Sequence, residues 1–364
     1  MEIIELFKFL IRSKSETPDD GGILKFVEEY LPDFTAVRID KNDVKNLFIY
    51  KKFSEGKHLC FAGHVDVVPA GQGWESDPYA AEERDGYIYG RGTQDMKSGV
   101  AAFLQAVKET QNFEGTLSLL LTSDEEGDAK YGTVEVLKYL EEEGMMPDSC
   151  VVAEPTCEMV FGDAIKVGRR GSINGLIKVQ GKQGHAAYPE KSVNPVHQIA
   201  QVLGDVAGID LDNGDEFFSP SKFVITDIRA GMQVTNVTPG HLEMMFNVRN
   251  STKTSAEDIK TFVAQHFKDM DYTLTLSQSA HPFVTDSDTK IVRDVTAAIK
   301  EVTGVQTKYS TAGGTSDARF IAPYGVEVIE FGVKNDTIHS VNERTTAKEV
   351  DDLYKVFKRL IEIH

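Results

Sequence analysis

The chain has 364 residues, of which 41% are hydrophobic and 26% are charged. This balance is typical of a soluble globular protein, and the length favours two domains over a single core. The formal net charge of −18 argues against a nucleic-acid partner, which would require a basic face, and means that an anionic ligand needs local cations. No apolar run approaches the roughly 18 residues of a membrane span, so we expect no membrane partner.

The first predicted element is an amphipathic helix over residues 2–12. Its apolar pattern carries Glu2, Glu5 and Lys8, and it lacks the basic start and the cleavage site of a signal peptide. The chain has three cysteines and no CxxC pair. Reduced thiols in the cytoplasm therefore fit the sequence best.

Helical and strand patterns then alternate up to residue 153. Helical periodicity covers residues 22–31, 97–110 and 131–143, and strand-like runs cover residues 46–50, 58–63, 115–122 and 149–153. This alternation predicts an α/β fold with a mixed, largely parallel sheet. Open sheets of this kind bind ligands beyond the carboxyl ends of their strands.

The order of elements changes from residue 172. The patterns predict, in order, a strand (172–181), a helix (193–207), two strands (222–229 and 240–249), a helix (255–268) and a strand (271–278). This β-α-β-β-α-β order is that of a ferredoxin-like α+β unit. After Pro282 a helix (287–303), a strand (326–331) and a helix (347–363) follow. We therefore expect a catalytic domain formed by residues 1–170 and 281–364, interrupted by an inserted unit of residues 171–280.

Five short segments contain residues suited to metal binding: FAGHVD (61–66), GRGTQDMKSG (90–99), TSDEEG (122–127), AEPT (153–156) and TIHS (337–340). Their nitrogen and carboxylate donors are His64, Asp95, Glu126, Glu154 and His339, with no thiolate. Such a set matches two metal ions that share one carboxylate. Asp95, between a glycine-rich turn and a predicted helix, is the candidate for the shared ligand.

Two further acids lie beside these ligands. Asp66 follows His64 by two positions in an apolar stretch, residues 59–68, that predicts a buried strand. Both side chains would then face the same way, and the Asp66 carboxylate could hold the free ring nitrogen of His64. Glu125 and Glu126 point in different directions, so that one can bind metal while the other transfers protons.

Each of these residues also has a common structural interpretation. A buried histidine in a strand is usually a satisfied core residue, a Glu-Glu pair in a loop is usually solvated, and an aspartate in a glycine-rich turn usually serves the turn. The metal-site hypothesis is favoured because the segments follow strand ends in order. The remaining histidines lack such partners and are interpreted as structural or surface residues: His58, His197, His241, His266, His281 and His364.

These motifs resemble the M20 family of metallopeptidases and deacylases over almost the whole chain. Within that family the resemblance is strongest to the succinyl-diaminopimelate desuccinylases, through GRRGSINGLIKVQGKQGHAAYPEKSVNPVHQIA (168–200) and GGTSDARF (313–320). The resemblance implies a zinc-dependent hydrolase for an anionic acyl-diamino acid. The amide of N-succinyl-LL-2,6-diaminopimelate would be cleaved to succinate and LL-2,6-diaminopimelate, in diaminopimelate and lysine biosynthesis.

The resemblance also implies roles for the metal-site residues. Asp95 would join His64 and Glu154 on one Zn²⁺, and Glu126 and His339 on a second, with Co²⁺ as an alternative in one site. Glu125 would be the general base and acid, and Asp66 would hold the free ring nitrogen of His64. His185, in GHAAYP, would reach across a homodimer to stabilise the tetrahedral intermediate, which makes the inserted unit a dimerisation domain. From the sequence alone, His185 fits a turn residue equally well.

Capture of an anionic substrate requires cations, and guanidinium groups bind carboxylates bidentately. Arg169, Arg170 and Arg249 are the natural candidates, although an arginine pair after a glycine also fits a surface turn or an internal ion pair. By resemblance the substrate-binding residues are Arg170, Ser172, Tyr188, Asn236, Arg249, Gly314, Thr315 and Asn335. The family usually has two consecutive asparagines before VxPG, whereas this chain has Thr235-Asn236.

Three alternatives stay open. The first is another M20 deacylase or peptidase, such as an N-acetylornithine deacetylase. The second is a catalytically silent dimeric binding protein, which would be expected to lack a metal ligand or Glu125, whereas all are present. The third is a phosphate binder built on GGTS (313–316), but no lysine follows those glycines as in a P-loop.

Overall fold

The computed structural model describes residues 1–364, and the chain divides into two compact units. The first unit consists of Met1–Gly168, Thr285–Ser310 and Gly314–His364, and the second of Arg169–Val284 and Thr311–Gly313. The structural boundaries lie a few residues from the predicted ones, and they add one short segment near residue 312 to the second unit. None of the helices is both long and apolar enough to cross a membrane.

The helices are α1 (Ile3–Arg12), α2 (Ile23–Tyr30), α3 (Lys97–Glu109), α4 (Thr133–Glu142), α5 (Pro195–Val206), α6 (Ala256–His266), α7 (Lys290–Thr303), α8 (Ala318–Ile321) and α9 (Ala347–Ile363). Single 3₁₀ turns occur at Pro189–Lys191 and Ala322–Tyr324.

The first strands are β1 (Thr35–Arg38), β2 (Asn46–Lys52), β3 (Lys57–His64), β4 (Glu82–Arg84), β5 (Tyr87–Tyr89), β6 (Gly115–Thr122), β7 (Ser149–Val152) and β8 (Ala164–Lys166). The next are β9 (Gly168–Arg169), β10 (Ser172–Gln180), β11 (Gly184–His185), β12 (Phe223–Ala230), β13 (Val237–Thr238), β14 (His241–Val248), β15 (Asp271–Ala280) and β16 (Phe283–Val284). The last are β17 (Lys308–Ser310), β18 (Glu327–Glu330) and β19 (Arg344–Thr345).

The first unit is built on an eight-stranded sheet with the order β1-β2-β6-β3-β7-β18-β8-β17. The four strands β6, β3, β7 and β18 run parallel to one another, and antiparallel pairs join β1, β2 and β6 at one side. The central strand β6 is buried along nearly its whole length, as expected for a strand covered on both faces. The predicted mixed, largely parallel sheet is confirmed.

Helix α3 lies at the centre of this unit. Its residues from Lys97 to Val107 are all buried, because the helix packs against α1, α9 and the sheet. Gly99 allows the helix backbone to lie close to the segment after β7, because a Cβ at this position would lie 2.4 Å from the carbonyl oxygen of Ala153. The start of α3 is thereby packed against the segment that follows β7.

One predicted strand is too long. The apolar stretch 59–68 predicts a continuous strand, but β3 ends at His64. The N–H of Val65 still donates to the carbonyl of Thr122, whereas that of Val67 donates to Ser15, outside the sheet. The chain therefore leaves the sheet directly after His64, although Val65 and Val67 are still fully buried.

The second unit has an antiparallel sheet with the order β12-β14-β10-β15 and two helices, α5 and α6. The elements follow the predicted β-α-β-β-α-β order along the chain. Its core contains Ile177, Met244, Phe246, Ile199 and Val263, from the sheet and both helices. The alternating burial of β14 and β15 shows that the other face of the sheet is exposed.

Candidate metal centre

The predicted ligands gather at one edge of the large sheet. Strand β3 lies between β6 and β7 and runs parallel to both, so the carboxyl ends of the three strands meet. His64 is the last residue of β3, Glu125 and Glu126 follow β6, and Glu154 follows β7. The topology therefore brings together side chains that are far apart in sequence.

Asp95 lies between two histidines. Its Oδ1 is 3.1 Å from Nε2 of His64, and its Oδ2 is 3.4 Å from Nε2 of His339. Nε2 of His339 is also 2.9 Å from Oε1 of Glu126, and Nε2 of His64 is 3.8 Å from Oε1 of Glu154. A carboxylate that faces two different sets of ligands is the arrangement that a pair of metal ions requires.

The donor chemistry fits divalent cations. Two groups of possible ligand atoms each lie within 4.8 Å of one another: His64, Asp95 and Glu126, and His64, Glu125 and Glu154. All of these are imidazole nitrogens or carboxylate oxygens, which suit zinc and related ions. The second group shows that Glu125, expected to transfer protons, also lies within reach of two predicted ligands.

The pKa shifts of these residues indicate that the clustered carboxyl groups lack positive charge around them. Burial raises the pKa of Glu125 and of Glu154 well above the usual range of a carboxyl group. Hydrogen bonds to Asp95 and Glu126 raise the pKa of His339 to about 10. Although burial opposes it, hydrogen bonds from His339 and His64 hold the pKa of Asp95 well below its usual range. A bound cation would supply the charge that these protons supply here.

Asp66 contacts His64 differently from the sequence-based expectation. Nδ1 of His64 donates to the main-chain carbonyl of Asp66 at 2.8 Å, whereas the carboxylate Oδ1 is 3.6 Å away. The carboxylate instead accepts the main-chain N–H groups of Glu125 and Glu126, at 3.4 and 3.2 Å. The difference arises because β3 ends before Asp66. The hydrogen bond from Nδ1 of His64 to the Asp66 carbonyl leaves Nε2 of His64 available as a ligand.

Sequence reasoning missed three buried charged residues around this site. Glu343 and Arg91 form an ion pair of 2.7 Å that is fully buried. Asp317, within GGTSDARF, is buried, accepts a hydrogen bond of 2.7 Å from Thr133, and adds its charge to the burial that raises the pKa of Glu125. The only sequence signal for Asp317 was its place in a family motif. Arg91 lies within the segment GRGTQDMKSG, but its pairing with Glu343 left no signal, because the two residues are far apart in the chain.

His185, Tyr188 and Asn236 lie together in the second unit. Residue His185 pairs with Val237 in the short sheet β11-β13, and its ring centre is 5.8 Å from that of Tyr188. The N–H of Ala186 donates to the carbonyl of Asn236 at 3.0 Å. Nδ1 of His185 accepts the N–H of Ala187 at 3.0 Å, so a neutral ring carries its hydrogen on Nε2.

The predicted arginines of the second unit differ in their surroundings. Arg249 is exposed, at the end of β14. The Arg170 guanidinium donates to the main-chain carbonyls of Arg249, at 3.3 Å, and of Ser219. Arg169 is buried and donates to the carbonyl of Ala312 at 3.2 Å. These hydrogen bonds of the two arginines therefore stay within the second unit and go to main-chain carbonyls.

The other predicted substrate contacts are divided between the units. Ser172, in the second unit, is buried and accepts a hydrogen bond of 3.1 Å from Asn247. Gly314, Thr315 and Asn335 belong to the first unit. Thr315 accepts a hydrogen bond of 2.6 Å from Arg319, and the N–H of Asn335 donates to the carbonyl of Cys157 at 3.0 Å.

Comparison with known families decides the affiliation. The model of Peptidase family M20/M25/M40 matches residues 60–363. The chain belongs to this family. The predicted M20 membership is thereby confirmed, and the match includes every proposed metal ligand of this M20 protein.

Relatives of this M20 protein match it from end to end. The succinyl-diaminopimelate desuccinylase of Sulfurimonas denitrificans is 69% identical, with 100% of this chain and 99% of the relative covered. The protein of the same name from Nitratiruptor sp. is 67% identical, with 99% of each chain covered.

Solved structures share the fold of this M20 protein. Aminopeptidase PepT from Bacillus cereus superimposes with a TM-score of 0.81 at 21% identity, covering 99% of this chain and 97% of that one. The Bacillus subtilis YXEP protein, described as a dinuclear metal binding peptidase from the M20 family, gives a TM-score of 0.71 at 14% identity, covering 99% and 96%. At these identities the likeness establishes the fold alone.

Proposed function

We propose that this M20 protein is a zinc-dependent amidohydrolase that cleaves N-succinyl-LL-2,6-diaminopimelate to succinate and LL-2,6-diaminopimelate. The name shared by the full-length relatives at 69% and 67% identity supports the substrate. The reaction places the protein in diaminopimelate and lysine biosynthesis. The cytoplasm is its proposed compartment, since all three cysteines are free thiols.

The observation that carries the proposed metal chemistry is the position of Asp95 between His64 and His339. In the proposal His64, Asp95 and Glu154 hold one Zn²⁺, and Asp95, Glu126 and His339 hold the other, with Co²⁺ as an alternative in one site. Two bound ions would lower the pKa of a water molecule to about 7 and polarise the amide carbonyl.

Glu125 is the proposed group for proton transfer. Its side chain is half-buried among other acids, and desolvation raises its pKa well above the usual range of a carboxyl group. A carboxyl group so placed can take a proton from the attacking water and deliver it to the leaving nitrogen of the amide. The main-chain hydrogen bond from Glu125 to Asp66, 3.4 Å long, helps to orient this side chain.

His185 is proposed to act from the partner subunit of a homodimer. Because Ala187 occupies its Nδ1, a neutral His185 presents Nε2–H as a donor to the oxygen on which negative charge develops. The second unit is the proposed dimerisation unit. Its exposed sheet face carries Val224 and Met245, which are 44% and 50% exposed, and such residues favour a protein interface.

The carboxylates of the substrate require cations. Arg249 is the proposed principal clamp, because its side chain is exposed, whereas Arg170 is engaged with main-chain carbonyls. The further proposed contacts are Ser172, Tyr188, Asn236, Gly314, Thr315 and Asn335. Bidentate binding of a carboxylate by guanidinium would select an anionic acyl group over an acetyl group.

The test is a substrate panel with metal analysis of the same preparation. N-succinyl-LL-2,6-diaminopimelate, N-acetylornithine and dipeptides are compared by kcat/KM, with zinc counted per subunit. We expect two metal ions and a clear preference for the succinyl substrate. Turnover of the acetyl or dipeptide amides without the succinyl one would assign the protein to another M20 activity. Absence of turnover on all of them, with metal bound, would favour a binding protein.

A further inference from the structure

The loop that carries Asp95 is held by a buried glutamate from the loop that carries His339. We call residues 90–95 the aspartate loop and residues 336–343 the histidine loop. Glu343 is fully buried. Its Oε1 accepts the main-chain N–H groups of Gln94 and Asp95, at 2.8 and 3.2 Å, and its Oε2 accepts that of Gly92 at 3.1 Å.

Arg91 makes the reciprocal contacts from the aspartate loop. Its Nη1 donates to Oε2 of Glu343 at 2.7 Å and to the carbonyl of Ser340 at 3.2 Å. Its Nη2 lies 3.4 Å from the carbonyl of His339. Each loop thus extends a charged side chain that binds the main chain of the other loop.

Gln94 adds a second connection between the same loops. Its Nε2 donates to Oδ1 of Asp336 at 2.6 Å, and its Oε1 accepts the main-chain N–H of Thr337 at 2.8 Å. These bonds lie on the other side of His339 in the sequence. The histidine loop is therefore fastened on both sides of the proposed ligand.

These hydrogen bonds matter because His339 belongs to no helix or strand that would fix its position. His339 lies in a loop, its side chain is 49% exposed, and its φ is +58°, in the left-handed region that non-glycine residues rarely adopt. Its ring must nevertheless stay 3.4 Å from Oδ2 of Asp95. Bonds from outside the loop have to hold it there.

We propose that Glu343, with Arg91, is a positioning residue that sets the spacing between Asp95 and His339 for the second metal ion. The inference rests on the proposed two-metal centre and adds to it a residue that binds neither metal nor substrate. The alternative is a buried ion pair that only stabilises the fold.

The test is a metal titration of Glu343→Gln. Metal-free wild-type and variant proteins are titrated with Co²⁺, whose visible absorption reports the coordination of each equivalent. We expect the wild type to bind two equivalents. We expect the variant to bind the second about ten- to a hundredfold more weakly, the usual effect of losing a group behind a metal ligand, with an altered spectrum for that equivalent.

Asp212→Asn is the matched control. In the second unit Asp212 accepts the main-chain N–H groups of Gly214 and Ser221, at 2.7 and 3.2 Å, so its loss also releases a loop held by a carboxylate. We expect a lower melting temperature but unchanged cobalt affinity. Unchanged affinity in folded Glu343→Gln would overturn the positioning role.

Two outcomes separate this inference from the proposal on which it rests. Wild-type protein that binds fewer than two equivalents would overturn the two-metal centre, and the positioning role with it. Two equivalents in wild type, with no change in Glu343→Gln, would overturn the positioning role alone. If Glu343→Gln does not fold, Gln94→Ala takes its place, because its side chain joins the same loops. Weaker binding of the second equivalent is expected there as well, and unchanged binding would overturn the inference.

Discussion

Asp95 presents its two carboxylate oxygens to two histidines that lie far apart in the chain. The residue types of this site could be predicted, because their chemistry is visible in the sequence as nitrogen and carboxylate donors without thiolates. The contact between the Nδ1 atom of His64 and the Asp66 carbonyl could not, because it depends on where β3 ends. At this scale the identity of a ligand is in the sequence, and its orientation is not.

Glu125→Gln tests the division of roles between the adjacent glutamates. We expect the variant to keep two metal ions per subunit and to lose roughly 10²- to 10⁴-fold in kcat, because an amide cannot take the proton. Metal is counted by mass spectrometry beside steady-state kinetics. Glu126→Gln is the matched control, and it should lose metal from the site of His339. Metal loss in Glu125→Gln with activity retained would reverse the two assignments. The test is needed because Glu125 also lies within ligand distance of His64 and Glu154.

Helices and strands with clear periodicity were predictable within a few residues, and short or irregular ones were not. The buried helix α3 and the strands β3 and β6 fall where their apolar patterns predict them. The strands β1, β8 and β17 were missed, because β8 and β17 have only three residues each and the four residues of β1 are mostly exposed. The apolar stretch 59–68 continues past the end of β3, because a buried loop can be as apolar as a buried strand.

Gly99→Ala tests the packing of α3. The new Cβ would lie 2.4 Å from the carbonyl oxygen of Ala153, so the helix must shift, and we expect the free energy of unfolding of the first unit to fall by about 1–3 kcal/mol. Gly204→Ala in α5 is the matched control. A Cβ there meets nothing within 4 Å, and it should raise the stability of the second unit by about 0.5–1 kcal/mol. Urea unfolding measures both, and equal effects would contradict the packing argument.

His58 on β3 makes a prediction about pH. Its Nε2 is 2.7 Å from the hydroxyl of Ser118, and burial lowers its pKa from 6.5 to about 4. Because the folded pKa is the lower one, this contribution to stability is complete above pH 6.5 and is lost as the pH falls towards 4. The loss amounts to at most about 3 kcal/mol.

The comparison of wild type with His58→Asn isolates this contribution, because other acids that titrate in the same range are common to both proteins. The difference in free energy of unfolding between the two should shrink as the pH is lowered from 7 to 4. A difference that stays constant over this range would show that His58 titrates normally.

At the scale of the whole molecule, the proposed catalytic residues belong to both units, and in the proposed homodimer each site would take residues from two chains. His185 is assigned to the second unit and Glu125 to the first. If His185 acts across the dimer, the His185 of each subunit contributes to the site of the other subunit. A heterodimer of two inactive variants then contains one site in which both residues are intact.

Co-expressed Glu125→Gln and His185→Ala subunits, purified through two different tags, test this arrangement. We expect the heterodimer to recover about half of the wild-type kcat per dimer, since one of the two equivalent sites of a symmetric dimer is restored. Each homodimeric variant, assayed alone, serves as the inactive control. An inactive heterodimer would place His185 in the site of its own subunit.

The sequence by itself determined the candidate donor set, the family motifs and the order of the main elements, because residue type and periodicity are local properties. Only the tertiary structure showed how these parts meet. It placed Asp95 between His64 and His339, moved the Asp66 carboxylate to the main chain of Glu125 and Glu126, and joined Arg91 to Glu343. These contacts join residues distant in sequence, and their distances are set by how the chain packs.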